Sequence, residues 1–174
     1  MKIAVNTRFL LKDKLEGIGW FTYESVKRMV LAHPEHEFHF LFDRNFSEEF
    51  IFAKNVVPHV LFPPARHPFL WYAWFEYAVP SALRKIKPDV FLSTDGYLSL
   101  SAKTPQVLVI HDLAFEHFNN HVDWLTLKYY KYFVPKFARG ANRIAAVSSF
   151  TKADRKSTRL NSSHSSVSRM PSSA

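Results

Sequence analysis

Five short stretches place residues with usable chemistry beside apolar runs. His111 and Asp112 directly follow PQVLVI. A histidine there can act as a base or donate a hydrogen bond near neutral pH, and the aspartate either orients it or caps the next turn. Gly17-Ile18-Gly19 precedes a helical pattern, where glycines let the backbone approach a ligand and free N–H groups favour an anion. The plainer reading is a flexible loop at a helix start. The motif is not a dinucleotide fingerprint, because the third glycine of G-x-G-x-x-G would fall on Thr22. Asp43, closing a second run, stands where a ribose-binding acid would. Asp95-Gly96 and Ser148 follow two further runs. Glu116, His117 and His121 near His111 invite a metal reading, but the histidines lack the H-E-x-x-H arrangement, so no metal is expected.

These residues need elements that aim them at one place. Short apolar runs rich in β-branched residues predict strands at Lys2–Asn6, Glu37–Phe42, Asn55–Phe62, Pro88–Leu92, Pro105–Ile110 and Arg143–Val147. Pro58 demotes the third of these toward a sheet edge. Helical periodicity covers Ile18–Leu31, Pro68–Lys87 with a kink or restart at Pro80, and Val122–Ala138. Alternating strands and helices, with most strands uniformly apolar, predict an α/β Rossmann-like three-layer sandwich with a mainly parallel sheet. In such sheets ligands bind beyond the carboxyl ends of the strands. The polar residues from Arg8 to Gly19, with Asp43, Asp95-Gly96, His111-Asp112 and Ser148, therefore belong to one edge.

Composition narrows the class. The chain has 174 residues, 47% hydrophobic and 22% charged, with a formal net charge of +8 and no cysteine. That is about one domain with a real core. Without cysteine there are no disulfides, thiolate zinc sites or cysteine nucleophile, which favours a soluble cytoplasmic domain. No apolar run approaches the roughly 20 residues of a membrane helix. The aromatic block Phe69 to Tyr77, with Arg84, Lys85 and Lys87 after it, reads as a helix packed on the sheet. Its alternative reading is a peripheral contact with an anionic bilayer at the inner membrane face. The positive charge raises a nucleic-acid partner, but no sequence-reading motif supports one, so no nucleic acid is expected.

The end of the chain differs in composition. From Lys156 onward it reads KSTRLNSSHSSVSRMPSSA, too poor in apolar residues to offset the entropy of ordering. The stretch from Asp154 resembles a translated sequencing adapter, with both constant parts in order. Residues 154–174 are therefore set aside as a disordered artefactual tail and residues 1–153 taken as the domain. Four of the 23 basic residues and one of the 15 acidic residues lie in that tail, which leaves 19 against 14, a net +5.

In order, KIAVNTRFL, GIGWFTYE, PDVFLSTDG, QVLVIHDLAFEHF and RIAAVSSFTKAD resemble the amino-terminal half of a bacterial family-four glycosyltransferase of the two-domain B-type fold. The resemblance implies retaining transfer of a sugar from a nucleotide-sugar donor to a cell-envelope glycan or lipid-linked acceptor. It implies no cofactor and no metal, since the nucleotide-sugar is a substrate. It assigns His111 and Asp112 to catalysis beside the reacting sugar. Gly17, Ile18, Gly19 and Ser148 fall to the donor phosphates, and Asp95 and Gly96 to the acceptor side. The family's second, donor-binding half is not in this sequence, so the fragment alone is expected to be inactive. Two other readings stay open: a non-enzymatic Rossmann-like nucleotide-binding module and a basic nucleic-acid-binding domain.

Overall fold

The computed structural model describes residues 1–117 and 123–157. Six strands form one sheet: β1 (Lys2–Asn6), β2 (Glu37–Phe42), β3 (Val56–Val60), β4 (Val90–Ser93), β5 (Gln106–Ile110) and β6 (Arg143–Ala146). Their spatial order is β3-β2-β1-β4-β5-β6 and every adjacent pair is parallel. The order reverses between β1 and β4, the switch point at which a Rossmann-like sheet opens a crevice. Pro58 lies in β3, an edge strand, where its missing N–H costs no ladder bond on the outer side.

Both sheet faces are covered, which is why β2 is buried from Phe38 through Phe42 rather than alternating. Phe38, Phe40 and Phe42 pack with Val5, Val26 and Val30 under α1 (Gly17–Ala32). Ala4, Leu41, Phe91 and Leu108 point the other way. They meet Trp74, Phe75 and Leu83 from α2 (Pro68–Ala73) through α3 (Val79–Ile86), and Phe137 from α5 (Trp124–Gly140). Each fully buried Phe or Leu side chain contributes about 1.5–3 kcal/mol.

The anticipated kink before Pro80 takes a definite form. Residues Trp74–Ala78, between α2 and α3, make a π-helical turn. Pro80 has no N–H to offer the Glu76 carbonyl one turn back. That carbonyl accepts instead from the Ser101 hydroxyl at 3.1 Å, while the Glu76 carboxylate accepts the Leu100 and Ser101 N–H groups at 2.7 and 3.0 Å. The helix thus holds the β4–β5 connection.

Three helical pieces went unread in the sequence. They are a single 3₁₀ turn at Glu48–Phe50, α4 (Ala114–His117), too short to show periodicity, and α6 (Ser149–Ser157). The last runs four residues past Ala153. Expectations for His121 and for residues 158–174 lie outside the described residues. No helix among the described residues is long and apolar enough to cross a membrane.

Candidate active site

A cleft of about 180 Å³ opens at the carboxyl edge of the sheet. Its lining includes Ile18 from the first turn of α1, Asp95, Gly96 and Tyr97 from the loop after β4, and His111 and Asp112 after β5. Phe115, Tyr130 and Val134 close one side. The structure therefore brings together five of the eight residues singled out from the sequence. Gly17, Gly19 and Ser148 are not in the lining.

His111 is held from three directions. Its Nε2 lies 2.7 Å from the Thr94 carbonyl. A carbonyl can only accept, so Nε2 carries the proton and a neutral ring has its lone pair on Nδ1. No described residue bonds to Nδ1. The Phe21 ring packs edge-on against the imidazole at 4.9 Å. The Thr151 hydroxyl donates to the His111 carbonyl at 2.8 Å.

That last contact explains Ser148. The Thr151 hydrogen is spent on His111, so the 3.0 Å contact between the two hydroxyls has Ser148 donating to Thr151. The Thr151 N–H returns a bond to Ser148 Oγ at 3.0 Å. Ser148 is thus the amino cap of α6, and it reaches the cleft only through Thr151. Asp112 makes a similar local bond, accepting from the Ala114 N–H at 3.0 Å and so starting α4. It does not bond to His111.

Asp95 is buried, and its carboxylate is paired with the equally buried Arg8 guanidinium. The Ser93 hydroxyl and the Tyr97 N–H also donate to it, at 3.2 and 3.3 Å. Arg8 lies 4.3 Å from the Tyr97 ring centroid and 5.4 Å from that of Phe75. Burial works to lower the Arg8 pKa, but the Asp95 charge and Tyr97 outweigh it and the net shift is upward. Burial also raises the Tyr97 phenol, against the pull of Arg8. Its hydroxyl stays protonated and donates to Tyr130 at 3.1 Å. Gly96 follows with φ +86°, a conformation that favours glycine. Arg8 was legible only as the start of a charged loop, and Tyr97 and Thr151 were not singled out at all.

The two glycines of the α1 loop do different things. A Cβ on Gly19 would sit 2.8 Å from the Phe9 carbonyl oxygen, so this glycine answers to internal packing. A Cβ on Gly17 would meet nothing within 4 Å. The helix begins at Gly17 with no side-chain cap from Glu16 and no acid in its first turn. Its first N–H groups therefore present partial positive charge beside the cleft.

Asp43 does not stand free as a ribose acid. It accepts both Arg44 Nε and Nη2 at 2.7 Å and the Ala65 N–H at 2.9 Å. Its carboxylate is committed to holding the loop after β3.

The sequence matches the family model of Glycosyltransferase Family 4 over residues 16–167. No curated protein matches. Among solved structures, the chain superposes on Anabaena Alr3699/HepE, crystallised with UDP and glucose, with a TM-score of 0.61 and 12% identity. A glycosyltransferase from Rickettsia africae gives a TM-score of 0.56 and 11% identity. The chain is covered over 97% in both cases but spans only 44% and 42% of those proteins.

Proposed function

Because this chain belongs to Glycosyltransferase Family 4, we propose that it forms the acceptor-side half of a retaining glycosyltransferase that draws on a nucleotide-sugar. The observation that carries this reading is His111. It lines the cleft with Nδ1 unclaimed by any described residue, beside the uncapped amino end of α1. In this reading the α1 N–H groups receive the diphosphate of the donor. His111 accepts a hydrogen bond at Nδ1 from a hydroxyl of the reacting sugar and orients it. The bond from the anomeric carbon to the leaving phosphate oxygen breaks, and that carbon bonds to the acceptor oxygen on the same face. The acceptor proton passes to the departing diphosphate. Charge building on the sugar in an oxocarbenium-like transition state is met by placed polar groups rather than by a strong nucleophile.

The acceptor is a cell-envelope glycan or a lipid-linked one, reached from the cytoplasmic side. Asp95 contributes by holding Gly96 and Tyr97 in the cleft wall, since its own oxygens are already engaged. Transfer needs the length of the relatives that this chain does not span, so the 174-residue chain alone is inactive.

The test is transfer by the full-length enzyme from a UDP-sugar. His111→Ala should lower kcat by about 10²–10³-fold, the scale for losing one positioned hydrogen-bonding group at a reacting centre. Product NMR should show retained anomeric configuration. An unchanged kcat would remove His111 from the site. UDP binding without transfer would favour a nucleotide-binding module instead. Transfer by the 174-residue chain alone would refute the half-site reading.

A second observation supports peripheral contact with an anionic bilayer. α5 carries Lys128, Lys131, Lys136 and Arg139 and no acid. One stripe stacks Lys128 on Trp124 at 3.9 Å and Lys136 on Tyr132 at 3.5 Å. With exposed Phe69 and Tyr72 of α2, this stripe borders an apolar groove of about 570 Å³. Aromatic bodies with cationic tips suit the headgroup level. Flotation with anionic vesicles, reduced by Lys128→Glu with Lys136→Glu, is the expected result. Equal flotation with zwitterionic vesicles would count against it.

A further inference from the structure

The carboxyl end of α1, opposite the cleft, runs into the turn His33-Pro34-Glu35-His36. Glu35 Oε1 lies 3.2 Å from His33 Nδ1 and 3.4 Å from His36 Nδ1. All three ligand atoms fall within 4.8 Å of one another. Around a tetrahedral ion with bonds near 2.0 Å, ligand atoms stand about 3.3 Å apart. Two of the three separations already have that value. We propose that His33, Glu35 and His36 bind a divalent d-block cation, with Zn²⁺ the best match to two imidazoles and one carboxylate and with the fourth position open to water.

Two independent features support a built site rather than a chance cluster. First, the turn is braced. The Asn55 amide nitrogen reaches the carbonyls of Val30, His33 and His36 at 3.3, 3.2 and 3.0 Å, and the His36 N–H bonds the His33 carbonyl at 3.1 Å. Second, the site sits at the carboxyl end of a 16-residue helix with no basic residue in its last turn. A cation there meets the negative end of the helix dipole, which no lysine or arginine of that turn neutralises. The Met1 amino group, 3.4 Å from His36 Nδ1, is a competing donor that the ion would displace.

Such an ion would tie the end of α1 to the start of β2. It lies away from the cleft, so the proposal is independent of the sugar-transfer reading. The test uses the 174-residue chain itself, titrated with Co²⁺ as a spectroscopic substitute and with Zn²⁺ by calorimetry. One ion per chain is expected, with visible d–d bands and a rise in Tm on adding Zn²⁺. His33→Ala, Glu35→Gln and His36→Ala should each weaken binding at least tenfold. His33 and Glu35 are exposed, so those two substitutions leave the packing intact. His39→Gln with His59→Gln should leave the affinity unchanged. Zn²⁺ binding that survives the His33 and His36 substitutions, or that disappears with the His39/His59 pair, would overturn the proposal.

Discussion

Replacing Arg8 with methionine keeps most of the side-chain volume but removes the only cation that pairs with Asp95 among the described residues. Both groups are nearly sealed from water, with side-chain exposures of 4% and 0%. Breaking a buried pair from one side leaves an uncompensated charge and costs about 3–5 kcal/mol. The lost stacking of the guanidinium on Tyr97 and Phe75 adds about 0.5–2 kcal/mol. For a chain of this length each kcal/mol moves Tm by about 2–4 °C, so Arg8→Met should melt roughly 7–28 °C lower. Asp95→Asn should cost a similar amount by stranding the guanidinium. The double variant Arg8→Met/Asp95→Asn should recover at least half of the summed loss, because no buried charge remains. Urea unfolding of the 174-residue chain, followed by circular dichroism, reads all three. Since the Arg8 pKa is raised, the pair's contribution is fully present below the ordinary arginine pKa, so the losses should be the same at pH 6 and pH 8. Single variants costing under 1 kcal/mol, or a double variant equal to the sum of the singles, would refute the argument that this pair holds the β1 and β4 loops together.

Three further outcomes are expected. Gly19→Ala should destabilise the chain by about 1–3 kcal/mol through overpacking against the Phe9 carbonyl, whereas Gly17→Ala, with open space around its Cβ, should melt within a degree or two of the parent. His39 and His59, 2.8 Å apart, both have lowered pKa values, chiefly through burial. A depressed histidine pKa gives stability that is present above the ordinary value near 6.5 and is lost as pH falls through the folded value. Tm should therefore drop between pH 7.5 and pH 5, and His39→Gln/His59→Gln should flatten that drop. Thr151→Val removes the donor to the His111 carbonyl, so in the full-length enzyme kcat should fall while circular dichroism stays unchanged; a normal kcat would show that His111 is fixed without it.

Much of the fold was legible locally. The four hydrophobic residues of EFHFLF read as a strand covered on both faces, and Phe38 to Phe42 are buried. Pro58 pointed to an edge strand because a missing N–H breaks the ladder inside a central strand but not on the outer side of an edge strand. Pro80 marked an irregular helix, although not the π-helical form, which depends on Ser101 and Leu100 being present to satisfy Glu76. α4 and α6 escaped because each is set by a local cap, Asp112 for one and Ser148 for the other, rather than by a hydrophobic stripe. Five of the eight site residues share the cleft because they follow parallel strands whose carboxyl ends meet on one edge. Gly19 carries the right residue type for a ligand loop but answers to the Phe9 backbone.

By itself the sequence determined the alternation of strands and helices, and with it the edge of the sheet where Asp95, His111 and Asp112 had to lie. Hydrophobic period and turn residues act over a few positions, and that suffices for element type and polarity. Only the tertiary structure decided what each polar group is free to do. The order β2-β1-β4-β5 sets Arg8 against Asp95, 87 residues away, and commits the Nε2 of His111 to the Thr94 carbonyl. It also commits Asp43 to the Ala65 N–H, 22 residues on. Those partners come from crossovers between distant strands, and no spacing along the chain encodes which buried oxygen a given nitrogen will meet.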